Sequence, residues 1–219
     1  MESKSKILVA IAQVDRNLRK TFGASDSTSH SAAIWRNPPD DLLSGFLERL
    51  QQVGGEGQIL TSKADLGSSL QQTLAEFRGE TVLLTDEAIV PELRLRELCS
   101  DIGLIPLQPD RTALESAARA AVGVTTADAG IADTGTVVLL HTAERGRWAA
   151  LLPQVHVVLL EREKIYKNKL DLLRAWRTEQ VDFGSTPLTW VTGPSLTADI
   201  EKILVRGAHG PRRLVVIIH

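Results

Sequence analysis

Short runs of Val, Leu and Ile, separated by stretches with helical periodicity, recur along most of the chain and restrict the folds open to it. Thr81 to Thr85, Thr136 to His141, His156 to Leu160, Leu188 to Thr192 and Leu214 to Ile218 are each largely apolar. A strand that is apolar on both faces must be covered on both faces, the condition of a parallel sheet held between helices. Intervening segments supply the helices: Leu42 to Val53, Leu66 to Phe77, a segment opened by Pro91 that reaches Cys99, Thr112 to Ala121, a short one around Trp148 to Leu152, Glu163 through Trp176, and Thr197 to Val205. Gln58 to Leu60 and Leu104 to Pro106 read as short strands. The pattern predicts an α/β fold with a mainly parallel sheet and helices on both faces.

Ahead of this alternation, Ile7, Ile11, Val14 and Leu18 form a single helical stripe, and the polar stretch from Gly23 to Ser31 reads as a flexible linker or a lid. The expected organisation is therefore an N-terminal helix and linker over residues 1–36 and an α/β domain over residues 37–219. The first apolar run, broken by Gln13, Asp15 and Arg16, is too short for a signal-peptide core or a membrane span. Cys99 is the single cysteine, which rules out an intrachain disulfide and a cysteine-rich metal site on this chain. A soluble, cytoplasmic protein is expected. The net charge of −2 gives no bulk attraction for nucleic acid.

Chemistry concentrates in three places. The run from Gly123 to Thr136 is rich in Gly, Thr and Asp, types that bond to nearby backbone and form tight loops. Read as one loop after a strand, it offers Thr126, Asp128, Asp133, Thr134, Gly135 and Thr136 to a small anionic ligand. Ligands of open parallel sheets gather beyond the carboxyl ends of strands, so this loop, the turn after Thr192 and the segment after Thr85 form one expected rim. The second place is Gly193 to Glu201: Ser195 or Thr197 either caps the next helix or joins its free N–H groups in holding a carboxylate or phosphate, with Asp199 in the first turn. The third is Gly207 to Pro211, where His209 and Gly210 stand in a turn. There His209 serves as a general acid or base, binds the ligand, or bonds a neighbouring carbonyl. No close pair of metal-ligand spacing joins these residues, so no metal is expected.

Phosphate-cradling Gly-rich fingerprints and a G-x-S-x-G nucleophile elbow are absent from the sequence. Four separated motifs instead carry a resemblance: Thr126 to Thr136, Leu152-Pro153-Gln154-Val155-His156, Gly193 to Glu201, and Gly207-x-His209-Gly210-Pro211. In order and spacing, from about Asp86 to the C-terminus, they resemble the LUD-domain family. The resemblance implies a NagB/RpiA/CoA-transferase-like fold and a part in oxidising L-lactate to pyruvate. It also implies cysteine-rich partner proteins that carry the iron–sulfur clusters, with no cofactor on this chain. Related CoA transferases place a nucleophilic glutamate in a loop before a strand, where this chain has the shorter Asp133. That residue is accordingly read as a binding or loop-bracing group before a nucleophile. The alternative implied by the same kinship is a stand-alone CoA transferase or sugar-phosphate isomerase using Asp133 and His209.

Overall fold

Val, Leu and Ile runs become the middle of a six-stranded sheet because only burial on both faces accommodates them. A computed structural model describes residues 41–84, 93–107, 114–142, 146–182, 186–198, 204–206 and 210–219. The N-terminal stripe and linker, the segment after Thr85, Asp199, Glu201 and His209 lie outside the described residues.

The strands are β1 (Glu56–Ile59), β2 (Thr81–Leu84), β3 (Ile105–Leu107), β4 (Val122–Thr126), β7 (Val155–Leu160) and β12 (Arg213–Ile218). They lie in the order β1-β12-β7-β4-β2-β3, with every neighbouring pair parallel. On one face, α2 (Leu66–Leu74) and α3 (Leu95–Asp101) bury Leu66, Leu70, Leu74, Leu95 and Cys99 against Val82, Val122, Val157 and Ile217. On the other face, α1 (Leu42–Gln52) buries Phe46 and Leu50 against Val158, Leu160, Leu214 and Val216. The α1 helix starts where Asp41 accepts the N–H groups of Leu43 and Ser44, satisfying donors that the first turn leaves open. Short helices α4 (Leu114–Ala118) and α5 (Trp148–Leu151) lie nearby, and Ala117 and Ala149 pack with Leu83.

A second, mixed sheet overlies that same face. It consists of β5 (Ala129–Ile131), β6 (Thr136–Leu140), β8 (Ile165–Tyr166) and β9 (Leu188–Val191), ordered β8-β5-β6-β9. Side chains alternate between its faces. Val137 and Leu139 therefore enter the core beneath, while Ile131 and Val138 meet Leu172 and Trp176 of α6 (Lys169–Thr178) on the outside. Asn168 caps α6 by accepting the Asp171 N–H at 2.9 Å.

Three expectations need correction. The helix expected from Glu163 begins only at Lys169, because Ile165 and Tyr166 pair with β5 as β8. The Gly123 to Thr136 run is not one loop: it comprises β4, β5 and a turn over residues 132–135, because its Thr, Val and Ile residues settle into extended ladders. Nor does a helix span Thr197 to Val205. Strands β10 (Leu196–Ala198) and β11 (Leu204–Arg206) pair antiparallel there, Thr197 opposite Val205. Their β-branched residues favour the ladder, so Ser195 and Thr197 have no helix start to cap.

Candidate functional site

Two glycines with φ > 0 fix the parts of the site to α1. Gly135 (φ +64) ends the turn after β5, and a Cβ there would stand 2.3 Å from the backbone N of Leu50. Gly193 (φ +77) follows β9, and a Cβ there would stand 2.4 Å from the Val53 carbonyl oxygen. Only glycine tolerates both the torsion and the approach. The two turns are thereby pressed onto the same end of one helix, and their hydroxyls meet. Thr134 Oγ1 lies 2.7 Å from Thr136 Oγ1, which lies 2.8 Å from Thr192 Oγ1.

Beyond Thr192 opens a cleft of about 320 Å³. Its floor is the face of the central sheet at His156 and Leu214, the second residues of β7 and β12. Thr189 and Val191 of β9 form one wall, residues 192–196 and Gly210–Pro211 another, and Ala150 and Leu151 of α5 complete it. It thus lies beside the amino ends of β7 and β12 and just past the carboxyl end of β9. Ser195 and Gly210 come together here: the Ser195 N–H donates to the Pro211 carbonyl at 2.8 Å, and a Cβ on Gly210 would lie 3.3 Å from the Ser195 Cβ. No Asp, Glu, Lys or Arg stands among the described lining residues.

His156 is the distinctive group of this floor. The side chain is fully buried, and its Nε2 lies 2.8 Å from Thr125 Oγ1 on β4, while Nδ1 has no partner among the described residues. Burial alone lowers its pKa from 6.5 to about 3, so the ring is neutral at physiological pH. A second buried histidine, His141, bonds through Nε2 to Thr189 Oγ1 at 2.7 Å and so holds a hydroxyl on the cleft wall.

The remaining expected site residues lie elsewhere. Thr126 is buried in β4 and, by strand alternation, faces away from the His156 side. Asp128 braces backbone, its Oδ2 accepting the Leu140 N–H at 2.7 Å. Asp133 sits in the turn with its N–H donating to the Lys167 carbonyl, and its Oδ1 is buried without a partner among the described residues. Burial raises the Asp133 pKa, opposed by the Thr134 hydroxyl and the charge of Arg49, and the Asp171 charge adds to the rise. Thr134, Gly135 and Thr136 reach the cleft through Thr192 and do not line it. The backbone of Thr197 belongs to β10. Among the described residues, no group of three His, Cys, Asp or Glu side chains is arranged to hold a metal ion.

Sequence reasoning singled out Ser195 and Gly210 from their turn residues, and it missed His156, Thr189 and Thr192. A signal for His156 was present: it is the one polar residue in the otherwise apolar strand Val155–Leu160. A polar group there must find a partner or a purpose.

The chain has relatives in sequence and in fold among known proteins. The LUD domain matches residues 43–219, and the chain belongs to that family. It is 28% identical to a protein named lactate utilization protein C from Geobacillus thermodenitrificans, over 93% of both chains. It is 31% identical to the uncharacterized protein YkgG of Escherichia coli, over 100% of this chain and 98% of that one. Among solved structures, a DUF162 family protein from Deinococcus radiodurans superposes with a TM-score of 0.59 at 25% identity, covering 81% of this chain and 95% of its own. No helix among the described residues is long and apolar enough to cross a membrane.

Proposed function

We propose that this protein is a component of a lactate-utilisation system and that its cleft binds a small carboxylate, L-lactate or pyruvate. The observation that carries the reading is the cleft itself: about 320 Å³, with the Thr189, Thr192 and Ser195 hydroxyls set among apolar residues and no fixed charge among the described lining. Such a site suits a small monoanion held by neutral donors better than a multiply charged phosphosugar or coenzyme. Relatives named lactate utilization protein C, matched along nearly their whole length, support the same reading.

Oxidation of L-lactate to pyruvate releases two electrons and two protons, so an electron acceptor is required. The chain's one cysteine, Cys99, is buried in the core against α2 and β2, which favours iron–sulfur clusters held by cysteine-rich partners. A stand-alone acyl-transfer or isomerase role has weaker support, since Asp133 is not part of the cleft lining. Deleting the gene in its native host tests the proposal. Growth on L-lactate as sole carbon source should be lost while growth on pyruvate persists, and tagged protein should retain a cysteine-rich iron–sulfur protein on purification. Unchanged growth on L-lactate would overturn the reading.

A further inference from the structure

Three threonine hydroxyls join the Asp133 turn to the cleft. Thr134 Oγ1 lies 2.7 Å from Thr136 Oγ1, and Thr136 Oγ1 lies 2.8 Å from Thr192 Oγ1. At one end the Thr134 hydroxyl bonds the Asp133 carboxylate. At the other end Thr192, an exposed residue, lines the cleft. Among the described residues these are the hydrogen bonds that the three hydroxyls make. Each hydroxyl has one proton to give, whereas an ionised carboxylate has none and only accepts. The three contacts therefore need all three hydroxyl protons, and one assignment supplies them: Thr134 donates to Asp133, Thr136 to Thr134, and Thr192 to Thr136. The reverse order sends the Thr192 proton out of the chain and leaves a Thr134 lone pair facing the carboxylate. It loses the charge-assisted bond, the strongest of the three, so the first order prevails.

We infer that Asp133, acting through this chain, fixes Thr192 as a hydrogen-bond acceptor toward the cleft, so that the site favours a 2-hydroxy acid over the matching 2-keto acid. The inference rests on the carboxylate reading proposed above and separates its two ligands by a single proton. The hydroxyl of L-lactate donates to an acceptor. The keto oxygen of pyruvate has nothing to donate and meets a lone pair instead, and an unmet polar contact of this kind is how a site rejects a close analogue. Asp133 is then a positioning residue: it does not line the cleft and reaches the ligand only through Thr134, Thr136 and Thr192.

Calorimetric titration of the full-length chain with L-lactate and with pyruvate tests this. The wild-type chain should bind L-lactate about 3- to 10-fold more tightly, the range of one neutral hydrogen bond. Thr134→Val, at an exposed turn position, detaches the chain from Asp133. Thr192 is then free to donate to the keto oxygen, and pyruvate should bind about as tightly as L-lactate. Thr134→Ser keeps the hydroxyl and should keep the preference. Asp133→Asn is a milder change, since its amide oxygen still accepts the Thr134 proton. Thr192→Val should level the two ligands the other way, by weakening L-lactate and leaving pyruvate no weaker than in wild type. Purely structural damage would weaken both ligands alike and leave their ratio unmoved. Wild-type binding of pyruvate as tight as L-lactate, a preference retained in Thr134→Val or Thr192→Val, or one lost in Thr134→Ser would overturn the inference and leave the carboxylate reading standing. Binding of neither ligand to the folded wild-type chain would overturn the carboxylate reading, and the inference with it.

Discussion

The turn at Asp133 and the cleft floor at His156 each carry a buried polar atom without a partner among the described residues, yet they are built on opposite terms. Asp133 is half-buried within a tight turn, with the charges of Arg49 and Asp171 acting on it and Thr134 beside it. His156 is sealed, its pKa shift comes from burial alone, and its ring is fixed by one hydroxyl. The first is a turn carboxylate whose neighbours adjust its charge, and the second is a neutral group beneath a cleft. Composition made the Asp133 run conspicuous, but the geometry puts the cleft over the strand that carries His156.

Three perturbations sharpen this contrast. The largest effect is expected at Gly123, the cross-strand partner of His156, where a Cβ would lie 1.9 Å from the Ala149 carbonyl oxygen. Gly123→Ala forces α5 off the sheet and should destabilise the fold by about 3 kcal/mol, read from urea denaturation. Next is pH. Between pH 6.5 and about 3 the unfolded chain protonates His156 while the folded ring stays neutral, so stability falls as pH drops. This group alone contributes a slope of about 1.4 kcal/mol per pH unit. Asp133 acts in the opposite sense. Its folded pKa is raised above 3.8, so its contribution to stability grows as pH falls and is lost as pH rises through the folded value. Denaturation curves from pH 4 to 7 should show a flatter acid loss in His156→Gln and a steeper one in Asp133→Asn; shifts of the same sign would break the contrast. The smallest effect belongs to the hydroxyls joining the two regions. Thr136→Val severs the links to both Thr134 and Thr192 and should lower stability by about 1 kcal/mol in the same assay.

Much of the scaffold was legible because its signals are long. Val155–Leu160 and Arg213–Ile218 are six-residue strands, and the amphipathic stripe of α1 repeats over three turns. Half of the second sheet was not, since β5 and β8 are two or three residues each, too short for period-two alternation to register. The stretch from Thr197 to Val205 was read as a helix, whereas Thr197 and Val205 instead pair antiparallel. Site residues followed the same rule. Ser195 and Gly210 announce themselves by their Gly and Pro neighbours, whereas His156 acquires meaning only when β4 places Thr125 beside it and β9 folds over it. Such a juxtaposition arises from the sheet order, which no local window contains.

The central claim is that ligand binds at the His156 floor rather than at the Asp133 turn. Calorimetric titration of L-lactate and pyruvate into the wild-type chain, His156→Gln and Asp133→Asn tests it directly. The account predicts that affinity falls about 10-fold or more in His156→Gln and stays near the wild-type value in Asp133→Asn. Loss of binding in Asp133→Asn with His156→Gln unaffected would contradict it.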